Sequence, residues 1–125
     1  MLLALRRLMT VLAFGFATPA GAALHLVMVE RDGCVYCAAW DAAIAPIYPK
    51  TPEGQAAPLE RVNIRDMQAS GLAFARPVVF TPTFVLMEEG REIDRIEGYP
   101  GEDFFWGLLV KMIANSKNDI GEEAK

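Results

Sequence analysis

Cysteine and histidine are nearly absent from this chain of 125 residues, which holds two cysteines and one histidine. Both cysteines stand in a single motif, Cys34-Val35-Tyr36-Cys37, so no disulfide framework can be built elsewhere. A structural zinc site needs four ligands, and His25 alone does not complete the set. Basic charge is also scarce, with 12 Lys and Arg against 16 Asp and Glu and a formal net charge of −4. So acidic a chain is a poor candidate for nucleic acid, and its charge is ordinary for a soluble surface. Internal repeats, low-complexity tracts and interdomain linkers are missing. A chain of this length that is 53% hydrophobic therefore reads as one domain with ample core.

The two cysteines that are present follow an apolar run and open a helical pattern. A thiol at a helix N-terminus meets unpaired N–H groups and the positive end of the helix dipole, which stabilises its thiolate. Two intervening residues let the second thiol reach back and close a disulfide with the first. A bridge over so short a loop removes little chain entropy, so a purely structural staple is a weak explanation. Redox chemistry at Cys34 and Cys37 is the stronger one.

Residues 1–22 carry Arg6 and Arg7, an apolar stretch from Leu8 to Phe16, and then Thr18-Pro19-Ala20-Gly21-Ala22. This charged, apolar, small-residue series predicts an export signal cleaved after Ala22. The alternative, an uncleaved anchor, is disfavoured because the apolar run is short for a bilayer. Residues 23–114 form the expected domain and 115–125 a polar, frayed tail. Export places the dithiol in the periplasm, where disulfides form unless electrons are supplied.

Within the domain, Leu24 to Val29 predicts a buried strand, and Arg31-Asp32-Gly33 breaks it just before the cysteines. The Ala-rich stretch from Cys37 to Ile47 predicts a helix with Trp40, Ile44 and Ile47 on one face, ended or kinked by Pro46. Thr51-Pro52-Glu53 has the form of an N-cap with proline at the first helical position. Leu59 to Ile64 predicts a strand with Val62 and Ile64 inward. Met67 to Phe74 is ambiguous between short helix and loop. Thr83 to Met87 is a strong strand, and Arg91 to Glu97 its hairpin partner, where the odd spacing of Ile93 and Ile96 indicates a bulge or edge position. Asp103 to Ala114 predicts an amphipathic helix with Phe104, Leu108 and Met112 in a stripe. Trp40, Phe104, Phe105 and Trp106 are expected in the core, and His25 away from the dithiol. The order strand, cysteine motif, helix, strand, hairpin, helix defines an α/β domain with a mixed central sheet flanked by helices.

With Thr81-Pro82-Thr83 leading into a strand, this order resembles the thioredoxin superfamily over nearly the whole mature chain. Gly33-Cys34-Val35-Tyr36-Cys37, Ile44-Ala45-Pro46-Ile47-Tyr48-Pro49, Thr81-Pro82-Thr83-Phe84-Val85 and Glu97-Gly98-Tyr99-Pro100-Gly101-Glu102-Asp103-Phe104-Phe105-Trp106 are similar to the periplasmic thioredoxins of bacterial Sox sulfur-oxidation systems. The resemblance implies a thioredoxin fold and thiol–disulfide oxidoreductase activity with no cofactor beyond the Cys34–Cys37 pair. It implies a cis bond at Pro82, with Thr81 and Pro82 positioning the client backbone. Cys34 is then the attacking thiol and Cys37 the resolving one, and Tyr36 and Tyr99 border the docking groove. Implied partners are protein disulfides, among them SoxY of the SoxY–SoxZ carrier, and a membrane thiol-electron transporter of the CcdA or SoxV type. A monomer is expected.

The chain also departs from that pattern. Gly33 replaces the tryptophan that precedes the motif in reducing thioredoxins, and Val35-Tyr36 replaces Gly-Pro. Tyr36 is similar to glutaredoxins and the isomerase DsbC, which implies mixed disulfides as substrates. Met28 stands where thioredoxins bury an aspartate. Glu30, two residues on and on the same strand face, is a candidate proton acceptor in its place, against the plainer reading of a solvated carboxylate at a strand end. Two alternatives stay open: a disulfide oxidant or isomerase, and a non-catalytic copper or zinc carrier of the same fold.

Overall fold

The computed structural model describes Gly15 and residues 23–123. The rest of the expected export signal lies outside the described residues. The domain begins with β1 (Leu24–Glu30) and α1 (Val35–Ala43), followed by α2 (Pro52–Ala56) and β2 (Leu59–Asn63). It ends with β3 (Thr83–Glu88), β4 (Arg91–Glu97) and α3 (Glu102–Glu123). The four strands form one sheet in the order β2-β1-β3-β4. β1 runs parallel to β2, with Leu26 opposite Leu59, and antiparallel to β3, with Leu26 opposite Leu86. β3 and β4 are an antiparallel hairpin. The expected α/β architecture with a mixed sheet is thus observed.

Both faces of the sheet are apolar because β1 and β3 are buried on both sides, as their unbroken hydrophobic runs require. Leu26, Met28, Phe84, Leu86 and Ile96 pack against α1 and α3 on one face. Here the rings of Trp40, Phe84 and Phe105 meet, with centroids 5.2 Å apart for Trp40–Phe84 and 4.9 Å for Phe84–Phe105. Val27, Val29, Val62, Val85 and Met87 form the other face, covered by Ile64, Met67, Leu72, Phe74 and Val78. That cover is the segment left ambiguous by the sequence, and it contains two 3₁₀ turns, Ile64–Asp66 and Gln68–Ser70.

Two helices differ from expectation. The first starts earlier and stops sooner, because Cys34 caps it and Pro46 has no N–H to continue its bonds. Trp40 and Ile44 are buried as expected, whereas Ile47 is exposed and Tyr48 takes the inward place, its hydroxyl donating to the Ala57 carbonyl at 2.6 Å. Burial, and then the charge of Glu53, raises the Tyr48 pKa above its ordinary 10.0. In α3 the buried stripe is Phe105, Leu109, Met112, Ile113 and Ser116, while Phe104 and Leu108 are exposed. A strict four-residue step drifts about 40° per step around a helix, so the stripe crosses from solvent to core by Met112. The helix also continues through the polar segment to Glu123. Thr51 caps α2 as expected, its Oγ1 accepting from the Gly54 N–H at 3.0 Å. In the hairpin both expectations for β4 hold together: it is an edge strand, and it bulges at Ile93, since Leu86 faces Asp94 and Met87 faces Glu92.

Candidate active site

The site grows from the junction of β1 and α1. Gly33, at φ +73°, turns the chain in a left-handed conformation that side chains rarely adopt. The next residue, Cys34, is then the N-cap of α1. Its Sγ accepts from the Cys37 N–H at 3.2 Å, and its carbonyl receives the first helical bond, from the Ala38 N–H at 3.1 Å. Cys34 and Cys37 are joined by a disulfide, with Cα atoms 5.2 Å apart. Cys34 retains 9% of its surface and Cys37 5%. Beneath them lie Met28 and Trp40 in the helical-face core. In the reduced state the helix N-terminus that now donates to Cys34 Sγ favours a thiolate there.

One side of the motif opens into a cleft of about 470 Å³ lined by Glu30, Cys34, Cys37, Asp41 and Arg61 among others. Arg61 lies opposite Met28 in the parallel register, which brings it beside Glu30 on the same face. Its guanidinium donates to Glu30, with Nε at 3.1 Å from Oε2, and to Asp41 Oδ2 at 3.0 Å. Its hydrogen bonds to Glu30 and then to Asp41 raise the Arg61 pKa further above its ordinary range. Glu30 is therefore an ion-paired, half-buried carboxylate, neither freely solvated nor enclosed like the aspartate it was set against.

On the other side of the motif lies a second groove, of about 660 Å³, which shares Arg31 with the first. Tyr36, Val79, Phe80, Thr81 and Tyr99 contribute to its walls. The Thr81–Pro82 peptide bond is cis, as the resemblance implies. The Phe80 carbonyl accepts from Thr83 Oγ1 at 2.6 Å and the Pro82 carbonyl from the Gly98 N–H at 2.8 Å, which ties this loop to β3 and to the end of β4. Thr81 Oγ1 is buried without a hydrogen-bond partner. Burial, with a contribution from Glu102, raises the Tyr99 pKa. Six of the residues picked from sequence, namely Cys34, Cys37, Tyr36, Tyr99, Thr81 and Glu30, thus line two adjoining depressions, with Pro82 buried behind Thr81. His25 lies at the far end of β1.

Sequence reasoning missed Arg61 and Asp41 as partners of Glu30, and Val79 and Phe80 as groove walls. Val78-Val79-Phe80 has the composition of a buried strand, yet Val79 and Phe80 are exposed. The available signal was the flanking prolines: Pro77 and Pro82 keep so short a segment out of a central ladder. Among the described residues no group of three or more His, Cys, Asp or Glu is arranged to hold a metal ion.

A redox-active pair at a helix tip, beside a cis-proline loop in this topology, defines a thiol–disulfide oxidoreductase of thioredoxin fold. No family model and no curated protein matches the chain. Among solved structures it is similar to the periplasmic thioredoxin SoxS from Paracoccus pantotrophus in reduced form, with 58% identity and a TM-score of 0.72, over 74% of this chain and 98% of that one. The chain belongs to the SoxS family of thioredoxins. The thioredoxin of Malassezia sympodialis (Mala s 13) is 20% identical, with TM-score 0.52 over 74% of this chain and 77% of that one. The thioredoxin of Fasciola hepatica is also 20% identical, with TM-score 0.53 over 73% and 82%. These two share the fold.

Proposed function

We propose that the chain is an extracytoplasmic reductase of protein disulfides and mixed disulfides, with a carrier of the SoxY–SoxZ type as client in thiosulfate oxidation. Its identity to a periplasmic SoxS carries this reading. In the proposed organisation residues 1–22 direct export to the periplasm, 23–114 form the working domain, and 115–125 are a polar extension. The enzyme acts as a monomer, draws electrons from a membrane transporter of the CcdA or SoxV type, and has no dealings with nucleic acid.

In the reaction the Cys34 thiolate attacks one sulfur of the client disulfide, forming a mixed disulfide and expelling the other sulfur as a thiolate that takes a proton from solvent. Cys37 loses its proton, for which Glu30 is the proposed acceptor, and attacks Cys34 Sγ. The second client sulfur leaves as a thiolate that takes up the proton given up by Cys37, and the enzyme, having passed two electrons to the client, is left oxidised as its Cys34–Cys37 disulfide. The membrane donor returns two electrons and two protons. Tyr36, Thr81 and Pro82 hold the client chain against Cys34.

The test is the reduction potential of the Cys34/Cys37 pair in defined glutathione buffers, joined to trapping. A potential near the thioredoxin end, about −270 mV, is expected, and a value near the DsbA end, about −120 mV, would make the protein an oxidant or isomerase. Cys37→Ser should retain a client on Cys34, whereas Cys34→Ser should retain none. Equal retention by both variants removes the assigned roles.

A further inference from the structure

The bulge at Ile93 changes which side chains of β4 share a face. Residues three apart in a regular strand point to opposite sides of the sheet. Here Met87 faces Glu92 and Val85 faces Arg95, and both Val85 and Met87 belong to the non-helical face. The extra residue thus delivers Glu92 and Arg95 to the same side. They form an ion pair in which the side chains retain only 4% and 3% of their surface.

The pair does more than neutralise itself. Glu92 Oε2 accepts from the Ala75 N–H at 2.7 Å. Arg95 Nη2 donates to the Arg76 carbonyl at 2.9 Å, and Nη1 to the Pro77 carbonyl at 3.2 Å. Three consecutive residues outside any helix or strand therefore take main-chain partners from one buried ion pair. A second tie joins Arg76 to Glu97 at 3.2 Å, and Glu97 lines the groove beside Thr81. Four residues separate Pro77 from Pro82, and the far end of that span is fixed by the Thr83–Phe80 bond. Held at both ends, the span presents Val79 and Phe80 to solvent at the groove wall.

A buried ion pair is a weak device for stability alone, since apolar residues of similar volume often serve as well. Fixing the geometry of a surface that a partner must meet is what hydrogen-bonded charge can add, because a pre-organised wall spares ordering cost on docking. We infer that Glu92 and Arg95, paired by the bulge at Ile93, are positioning residues for client docking, acting through the 75–77 backbone on Val79, Phe80 and Thr81. This rests on the reading that clients dock in the groove beside Thr81–Pro82. Neither residue lines either depression at the dithiol.

The experiment compares a protein disulfide, insulin, with the small disulfide dithiobis(nitrobenzoate) as oxidants of the reduced enzyme. Arg95→Lys keeps the charge but loses the fork that spans two carbonyls and a carboxylate. The double variant Glu92→Leu/Arg95→Met keeps the volume apolar without stranding a charge, which protects folding. For both, kcat/KM on insulin should fall roughly tenfold, through KM, the scale set by a small misplacement of a docking surface. The small-disulfide rate and the equilibrium constant of the Cys34/Cys37 pair with glutathione should stay within twofold of wild type. Unchanged insulin kinetics in a folded double variant overturn the inference. So does a parallel loss on both substrates with a shifted potential, which marks a general structural role. Phe80→Ala is run alongside: if it costs insulin turnover while the double variant does not, only the positioning inference fails, and if it costs nothing, groove docking itself fails and the inference with it.

Discussion

The helical face of the sheet and its opposite face are closed by different physics. On the first, α1 and α3 lay aromatic rings against Phe84 and Leu86, and the dithiol rests on that packing. On the second, residues 64–78 cross the valines of β1 and β3 with two 3₁₀ turns and no α-helix, held by partly buried side chains and by the Glu92–Arg95 pair. A site that must keep two sulfurs in register benefits from the close-packed side. The wall proposed to receive client chains is built on the other, where main-chain groups are held by directional bonds and the side chains of Val79 and Phe80 are exposed. If that division is real, the two faces should respond differently to the same kind of change.

The largest expected effect is on the helical face. Trp40 is fully buried and touches the rings of Tyr48, Phe84 and Phe105. Trp40→Ala should cost about 3–5 kcal/mol of unfolding free energy in urea. Phe74→Ala, made in the partly buried cover of the other face, should cost about 1–2 kcal/mol, within the ordinary range for a side chain that keeps some solvent contact. Equal losses would mean that both faces are packed alike.

A smaller effect, and one that depends on pH, belongs to the second face. Burial pushes the Glu92 carboxyl up, but its bonds from Arg95 and the Ala75 N–H, with the charges of Arg95 and Arg76, outweigh burial and hold it below its ordinary 4.5. The Arg95 guanidinium is correspondingly raised, by Glu92 first, against burial, with Glu97 contributing. A carboxyl whose folded-state pKa is depressed adds stability that is complete above the unfolded value and disappears as pH falls through the folded one. Glu92→Gln should therefore destabilise by about 1–3 kcal/mol at neutral pH, the cost of leaving a buried charged partner short of a bond. The gap from wild type should close as the pH is lowered through and below 4.5. Amide exchange at Ala75 reads the local effect, and a gap that persists in acid would show that the side chain acts through packing.

How much of this was legible beforehand follows the same division. Cys34, Cys37 and the Thr81–Pro82 step are local motifs, and the strand and helix order was set by runs and breakers such as Asp32-Gly33, Pro52 and Glu89-Gly90. The bulge in β4 was readable too, since Ile93 and Ile96 cannot share a regular strand face. What stayed hidden depended on phase or on distant partners. Periodicity gives the spacing of an apolar stripe but not which of Phe104 and Phe105 points inward. Arg61 meets Glu30 and Asp41, 31 and 20 residues away, only because β1, β2 and α1 converge there. Two of the groups that Arg95 binds, the Arg76 and Pro77 carbonyls, belong to the main chain and leave no trace in side-chain pattern.

The smallest effect tests that phase directly at the rim of the helical face. Phe104 keeps 71% of its surface, while Phe105 is fully buried and meets Phe84 at 4.9 Å between centroids. Adjacent helical positions point about 100° apart, so one faces the core and the other solvent. Phe105→Ala should cost about 3–5 kcal/mol, whereas Phe104→Ser should change stability by no more than about 0.5 kcal/mol in either direction. Both are read from the same urea titration, and a change in slope would warn that the unfolded state has altered as well. A cost at Phe104 approaching that at Phe105 would mean that its ring is covered in solution and that α3 has a third packed side. The contrast between a closed helical face and a loosely held opposite face would then have to be redrawn with an occupied surface along Phe104, Gly107 and Leu108.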